Sequence, residues 1–166
     1  MGADQSSNVV AAAERLRSAT SVAELLGRTA ESYVEVLDAP ACTISRVIGD
    51  LLVDLVQHRL QGQPDRLGHG YLISDYPLTR TVIETLEPKT VHAGDSDADE
   101  AEVRLLKELG FDSLLMLAIK AQEGAWGLVE VYGKNGRRFV DADIDAARKI
   151  ADEAANVLSR LSNPGQ

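Results

Sequence analysis

The chain has 166 residues, 45% hydrophobic and 26% charged, enough for one domain with a real core and too ordinary a composition for a disordered or fibrous protein. Seventeen Lys and Arg against 26 Asp and Glu leave a net charge of -9, which repels phosphate backbones and anionic lipid, so neither nucleic acid nor a membrane is expected as a partner. The single cysteine, Cys42, permits no internal disulfide, no apolar run approaches the roughly 18 residues of a membrane span, and no signal-peptide pattern opens the chain, so a cytoplasmic protein is expected.

Val9, Val10, Ala13 and Leu16 form a short amphipathic stretch, read as an N-terminal helical arm over residues 1–20. Ser21 followed by Glu24 is a capping box, and Leu25, Leu26, Ala30, Tyr33, Val34 and Leu37 recur at three- and four-residue spacing, which predicts a helix over 22–37. After Pro40 the period changes. Residues 41–48 and 51–60 are β-rich runs joined by Gly49-Asp50, the signature of a tight antiparallel hairpin.

Residues 61–70 carry four Gly and Pro positions and read as a loop. In LISDYPLTR, Ser74 or Asp75 can cap a helix that has Pro77 in its first turn and ends by Glu87-Pro88. A short strand is expected over 89–92. Asp97 and Glu100 then form a second capping-box-like pair for a helix over 98–109 closed by Gly110. Residues 113–120 and 125–132 read as a second hairpin. Asp141 is expected to cap a last helix that Asn163-Pro164-Gly165 stops, leaving 163–166 as a disordered tail. Antiparallel hairpins between terminal helices describe an α+β fold on one central sheet.

YLISDYPLTRTVIETLEP, DADEAEVRLLKELGFDSLLMLAIKAQEGAWGLVEVYG and RRFVDADIDAARKIADEAANVL resemble GAF domains of the bacterial signalling type. The resemblance covers roughly residues 21–161 and makes 21–162 the domain. It implies an antiparallel sheet of five or six strands, terminal helices packed on one face, and a small-molecule pocket on the other, roofed by residues 61–110. It does not imply an enzyme, and the fold alone does not choose among the cyclic nucleotides, tetrapyrroles, haem and amino acids that the family binds.

Several of those ligands have signatures that can be compared with this sequence. The cyclic-nucleotide signature pairs Asn-Lys with Phe-x-x-x-Asp-Glu; here Phe139 and Asp143 keep the spacing, but Ile144 stands in the Glu position and Lys134-Asn135 is reversed. Bilins are attached through a Cys in the roofing region, whereas Cys42 opens the first strand. A covalent chromophore is therefore not expected, nor is the multi-thiol chemistry of free methionine sulfoxide reductases. Cys42 reads as a small buried hydrophobe. His58, His69 and His92 have no metal-ligand spacing, so no metal or resident cofactor is expected. They are either solvated or hydrogen-bonded, or one of them holds a non-covalent haem.

The expected ligand site is Tyr71, Ser74, Tyr76, Arg80 and His92, with Met116 or Trp126 reaching its wall from the sheet. These gather hydroxyl, aromatic and basic groups suited to a small polar or anionic ligand; the plainer alternative is that Ser74 and Asp75 only cap a helix and Arg80 is solvated. Arg46 and Glu130 interrupt apolar strand patterns, and either pair with one another or orient a ligand. Ile144, Ala147, Ala151, Ala154, Leu158 and Leu161 form an apolar stripe. With the arm at Val9 to Leu16 it is expected to build a homodimeric helical bundle, or else to pack inside the monomer. The expected function is a sensory or regulatory domain that binds a small molecule non-covalently, signals through its terminal helices to an output domain or partner, and catalyses nothing. The alternative is a degenerate domain that only dimerises or docks.

Overall fold

The computed structural model describes residues 2–62 and 68–162. The N-terminal half runs α1 (Gly2–Arg17), α2 (Val22–Val36), β1 (Ala41–Ile48), β2 (Leu51–Arg59) and β3 (Gly70–Leu72), then a 3-10 turn at Ile73–Asp75. It continues with α3 (Pro77–Thr85), β4 (Lys89–His92), α4 (Glu100–Leu109), β5 (Ser113–Ala121), β6 (Gly124–Gly133) and α5 (Asp141–Ser162). The six strands form one antiparallel sheet in the order β3-β2-β1-β6-β5-β4. Both predicted hairpins are present, and the first and last strand pairs meet at the centre of the sheet through β1 and β6.

Ser21 caps α2 as the sequence predicts, accepting from the Glu24 amide at 3.1 Å. Other helix starts differ. Tyr76 precedes α3 and no side chain caps it, because the Ser74 amide and hydroxyl both donate to the Asp50 carboxylate, at 3.0 and 2.8 Å. Asp99, not Asp97, caps α4 by accepting from the Ala101 and Glu102 amides. At α5 it is Asp143, not Asp141, that accepts from the Val140 amide, at 2.9 Å. Strand β3 is new relative to the sequence reading: three residues at a glycine-rich edge carry too little pattern to be recognised, and pairing with Leu51, Leu52 and Val53 of β2 makes them a strand. The stop signal at Asn163-Pro164-Gly165, the tail and loop residues 63–67 lie outside the described residues.

Helices α2 and α5 cover one face of the sheet, and α1 packs against these two helices. Val9, Ala12 and Leu16 of α1 are buried with Ala147, Ile150, Ala154 and Leu158 of α5, over Cys42 and Ile44 of β1 and Val129 and Val131 of β6. The buried Tyr33 hydroxyl needs a partner and donates to the Ala147 carbonyl at 2.9 Å. The apolar faces around Leu16 and Leu158 are thus buried within one protomer.

Candidate functional site

The opposite face of the sheet holds the candidate site, and strand parity decides which side chains reach it. On β1 and β6 the register sets Ala41 against Tyr132, Thr43 against Glu130 and Ser45 against Leu128. Since side chains alternate between faces, these residues point away from the terminal helices while Cys42, Ile44, Val129 and Val131 point toward them. On β2 a bulge interrupts this alternation: Thr43 faces Gln57, yet Ser45 faces Asp54, so Leu55 is the extra residue. A bulge re-aims the side chains beyond it. Asp54 thereby turns inward beside Gln57, and Leu55 is left exposed.

Thr43, Asp54, Gln57, Glu130 and Tyr132 form the cavity floor, with Leu52 beside them. Thr79 of α3 and Glu102, Leu105 and Leu109 of α4 form the roof, while Tyr71, Ile73 and Tyr76 close the side. About 30 Å³ is open at the centre, room for a water or two. Tyr71 and Tyr76 are half-buried and meet edge to face, with ring centroids 6.1 Å apart.

Three carboxylates line this cavity, and no lysine, arginine or histidine is among its described lining residues. Asp54 accepts from the Ser45 hydroxyl at 2.6 Å. Glu102, 1% exposed, accepts from the Thr79 hydroxyl. Glu130 is 7% exposed, and no hydrogen bond or ion pair reaches its carboxylate from the described residues. Burial, reinforced by the Glu102 and Asp54 charges, pushes the Glu130 carboxyl well above the ordinary range. Burial also raises Glu102, opposed by its Thr79 hydrogen bond. On the far side of β1, burial raises the Cys42 thiol, with the Glu130 charge adding to it, so this cysteine is held unreactive.

Of the residues expected at the site, Tyr71, Tyr76 and Glu130 line the cavity. The others do not. Ser74 is engaged by Asp50, and Arg80 is exposed on the outer side of α3, paired with Glu84 at 2.7 Å. His92 ends β4, where its Nδ1 accepts from the Gly94 amide at 3.1 Å; its Nε2 and the Ser113 hydroxyl in the facing register position are buried without a partner among the described residues. Met116 lies just outside the lining, its sulfur 3.5 Å from the Thr79 hydroxyl. Trp126 packs against the helix-side core.

The expected Arg46–Glu130 pair does not form. Arg46 faces Gly127 in register, on the helix side of the sheet, where its guanidinium lies 4.6 Å over the Trp126 ring. It donates to the Trp126 and Val47 carbonyls at 2.8 and 2.9 Å.

Thr79, one of the hydroxyl groups of LISDYPLTR, does line the cavity, whereas the sequence reading missed Thr43, Asp54, Gln57, Glu102 and Tyr132. Glu102 carried a signal: it shares the apolar stripe of α4 with Leu105, Leu106 and Leu109, where a solvated glutamate has no place. Asp54 interrupts an apolar strand in the same way, but only the bulge settles which face it takes.

Among the described residues no three of His, Cys, Asp and Glu are grouped closely enough to hold a metal ion, and no helix is long and apolar enough to cross a membrane.

A family model described as GAF domain matches residues 21–158. No curated protein matches the sequence significantly. Among solved structures, the chain is similar to the chromophore-binding domain of the bacteriophytochrome RpBphP3 from R. palustris. The two are 13% identical with a TM-score of 0.84, covering 97% of this chain and 63% of that one, so this chain spans less than two thirds of that neighbour. The phycoerythrobilin-bound GAF domain of a cyanobacterial phytochrome is 16% identical, with a TM-score of 0.82 and 98% of each chain covered. The GAF domain of the Acinetobacter phosphoenolpyruvate-protein phosphotransferase is 13% identical, with a TM-score of 0.76, covering 100% of this chain and 99% of that one. At these identities the likeness is one of fold.

Proposed function

The chain belongs to the GAF-domain family, and from that premise we propose that it is a sensory or regulatory domain, not an enzyme, that binds a small molecule non-covalently in the cavity between the sheet and α3–α4. One observation carries this reading: Glu130, buried in the cavity floor, has no partner among the described residues. A cavity kept only as a relic would be filled by apolar side chains, since an unpaired buried carboxylate costs stability. That a similar solved GAF domain is phycoerythrobilin-bound supports a ligand-binding reading, although Cys42 lies on the far face of the sheet and offers this cavity no attachment point.

The sheet supplies a route for the signal. Glu130 stands between Val129 and Val131, which pack under the terminal helices. A ligand that moves β6 therefore shifts the seating of α2 and α5, biasing their populations. A homodimer belongs to this reading through the outer surfaces of α1 and α5, where Val10 is exposed. A cytoplasmic setting and a downstream output partner belong to it as well.

Native mass spectrometry of protein purified from cells, with a thermal-shift screen of metabolites, tests the proposal. A bound small molecule, or a compound that raises the melting temperature in proportion to its occupancy, is the expected result. If no compound shifts the melt and no adduct is seen, the docking-module alternative takes its place.

A further inference from the structure

We propose that the groove between the ends of β2 and β6 is a second binding site, for a small organic oxyanion, a carboxylate or phosphate carried on an apolar body, with Lys134 as the residue that receives the charge. The groove lies outside the sensory cavity, and its ligand is additional to the one proposed there.

The groove has a volume of about 390 Å³, in the range of small-molecule sites. Its walls come from the α2–β1 connection at 38–40, the end of β2 at 59–61, Phe111, and the start of the β6–α5 connection. The whole chain carries 17 basic against 26 acidic side chains. Among the ten described lining residues the balance is reversed: Arg59, Lys134 and Arg137 are cationic, and only the exposed Asp38 is anionic. A local excess of positive charge on an acidic protein draws anions to that place.

Phe111 organises the cations. Tyr132 stacks on its ring with centroids 4.7 Å apart, while the Arg59 guanidinium and the Lys134 ammonium lie over it at 5.1 and 5.3 Å. Two cations from separate elements are thereby gathered on one aromatic ring.

The three basic residues have different parts. Arg137 is committed to the fold: it donates to the Leu37 and Asp38 carbonyls at 2.7 and 3.1 Å and pairs with the buried Asp143 at 3.3 Å. Arg59 is engaged as well, its Nε donating to the Gln61 carbonyl at 3.2 Å. Both are fixed parts of the wall. Lys134 is exposed, and no carboxylate of the described residues pairs with its ammonium, so this side chain can turn to a ligand. A lysine is a point charge on a flexible stem, suited to a carboxylate or a phosphate alike. Leu60 is 63% exposed and its amide donates to the Pro40 carbonyl at 3.0 Å, which sets the two residues side by side as a surface for the apolar body.

The test follows backbone amide chemical shifts and calorimetric heats on the full chain at pH 7.5 and low salt. Benzoate and phenyl phosphate are the probes, with benzylammonium and benzyl alcohol as cationic and neutral counterparts and chloride as a plain anion. At least one oxyanion should bind where the other three do not, moving the amides of residues 59–61 and 134–137, and added salt should weaken it. Which of the two binds identifies the carboxylate or the phosphate. Lys134→Met should weaken binding tenfold or more and Lys134→Arg should retain it, while Lys149→Met on the exposed face of α5 leaves it unchanged.

Oxyanions that bind no better than benzyl alcohol or chloride, or binding that Lys134→Met leaves unaltered, overturn the site. Amide shifts confined to Glu130 and its neighbours would put the anion in the sensory cavity and overturn it equally. None of these results decides the sensory function, which rests on the metabolite screen.

Discussion

Thr43, not Arg46, faces Glu130 across the β1–β6 ladder. Arg46 sits three positions along β1 and on the opposite face, so the two charges are separated by the sheet rather than joined across it. Each has its own surroundings: Arg46 a tryptophan face and two carbonyls, Glu130 a cavity.

Arg46→Met and Glu130→Gln should therefore act independently. Arg46→Met loses one cation–π contact and two hydrogen bonds to carbonyls, at a cost of about 1–2 kcal/mol. A double-mutant cycle followed by chemical denaturation should give additive changes, with an interaction energy within about 0.5 kcal/mol of zero. A coupling of several kcal/mol would mean that the two side chains touch.

The raised Glu130 carboxyl makes stability depend on pH in a stated direction. The folded state holds this proton more tightly than the unfolded chain, so its stabilising effect is complete below the ordinary carboxyl value of 4.5 and is lost as pH rises through the raised folded value. Glu102 shifts the same way and adds to the effect. Glu102, Asp54, Cys42, Tyr132 and Tyr76 surround the group, and none of these is cationic. The melting temperature should fall as pH climbs from 5 to 9. Glu130→Gln should reduce that fall and stabilise the protein at the upper end by about 1–3 kcal/mol, worth about 2–4 °C for each kcal/mol in a chain of this size. Differential scanning calorimetry across that range decides it; a variant that melts lower than the parent at pH 9 refutes the unpaired-charge account.

Thr79→Val removes the hydroxyl that Glu102 accepts while nearly preserving its shape. A buried carboxylate deprived of its donor costs about 1–3 kcal/mol. The loss should grow with pH, because it is the charged form that the hydroxyl stabilises. Equal destabilisation at pH 5 and pH 9 would show that only packing had changed.

Leu16 is fully buried between α2 and α5, so Leu16→Ala should cost about 2–5 kcal/mol through the cavity it leaves. The effect belongs to the protomer and should not depend on protein concentration. Melting curves taken over a hundredfold concentration range test this: a concentration-dependent loss would place Leu16 at an interface between chains.

Arg80→Ala, by contrast, should leave both the melting temperature and any ligand-induced shift unchanged, since Arg80 pairs with Glu84 on an exposed helix face.

The sequence by itself determined the elements and their class, because their signals are local. The three- and four-residue spacing of Leu25, Leu26, Ala30 and Tyr33, the Ser21 cap, the Gly49-Asp50 turn and the β-rich runs at 113–120 and 125–132 act within a few residues of one another, and they suffice for an α+β domain of the GAF kind. Tertiary structure decided what those elements face. Pairing of Thr43 with Glu130 joins residues far apart in the chain, and a shift of one position would exchange the two faces. The bulge at Leu55 that turns Asp54 into the cavity answers to the ladder with β1. Ser74, expected to cap α3, is instead held by Asp50, 24 residues away in the chain. Likewise α1 was legible as an amphipathic helix, but only the tertiary structure shows its apolar face buried against α2 and α5, because α5 lies at the other end of the chain.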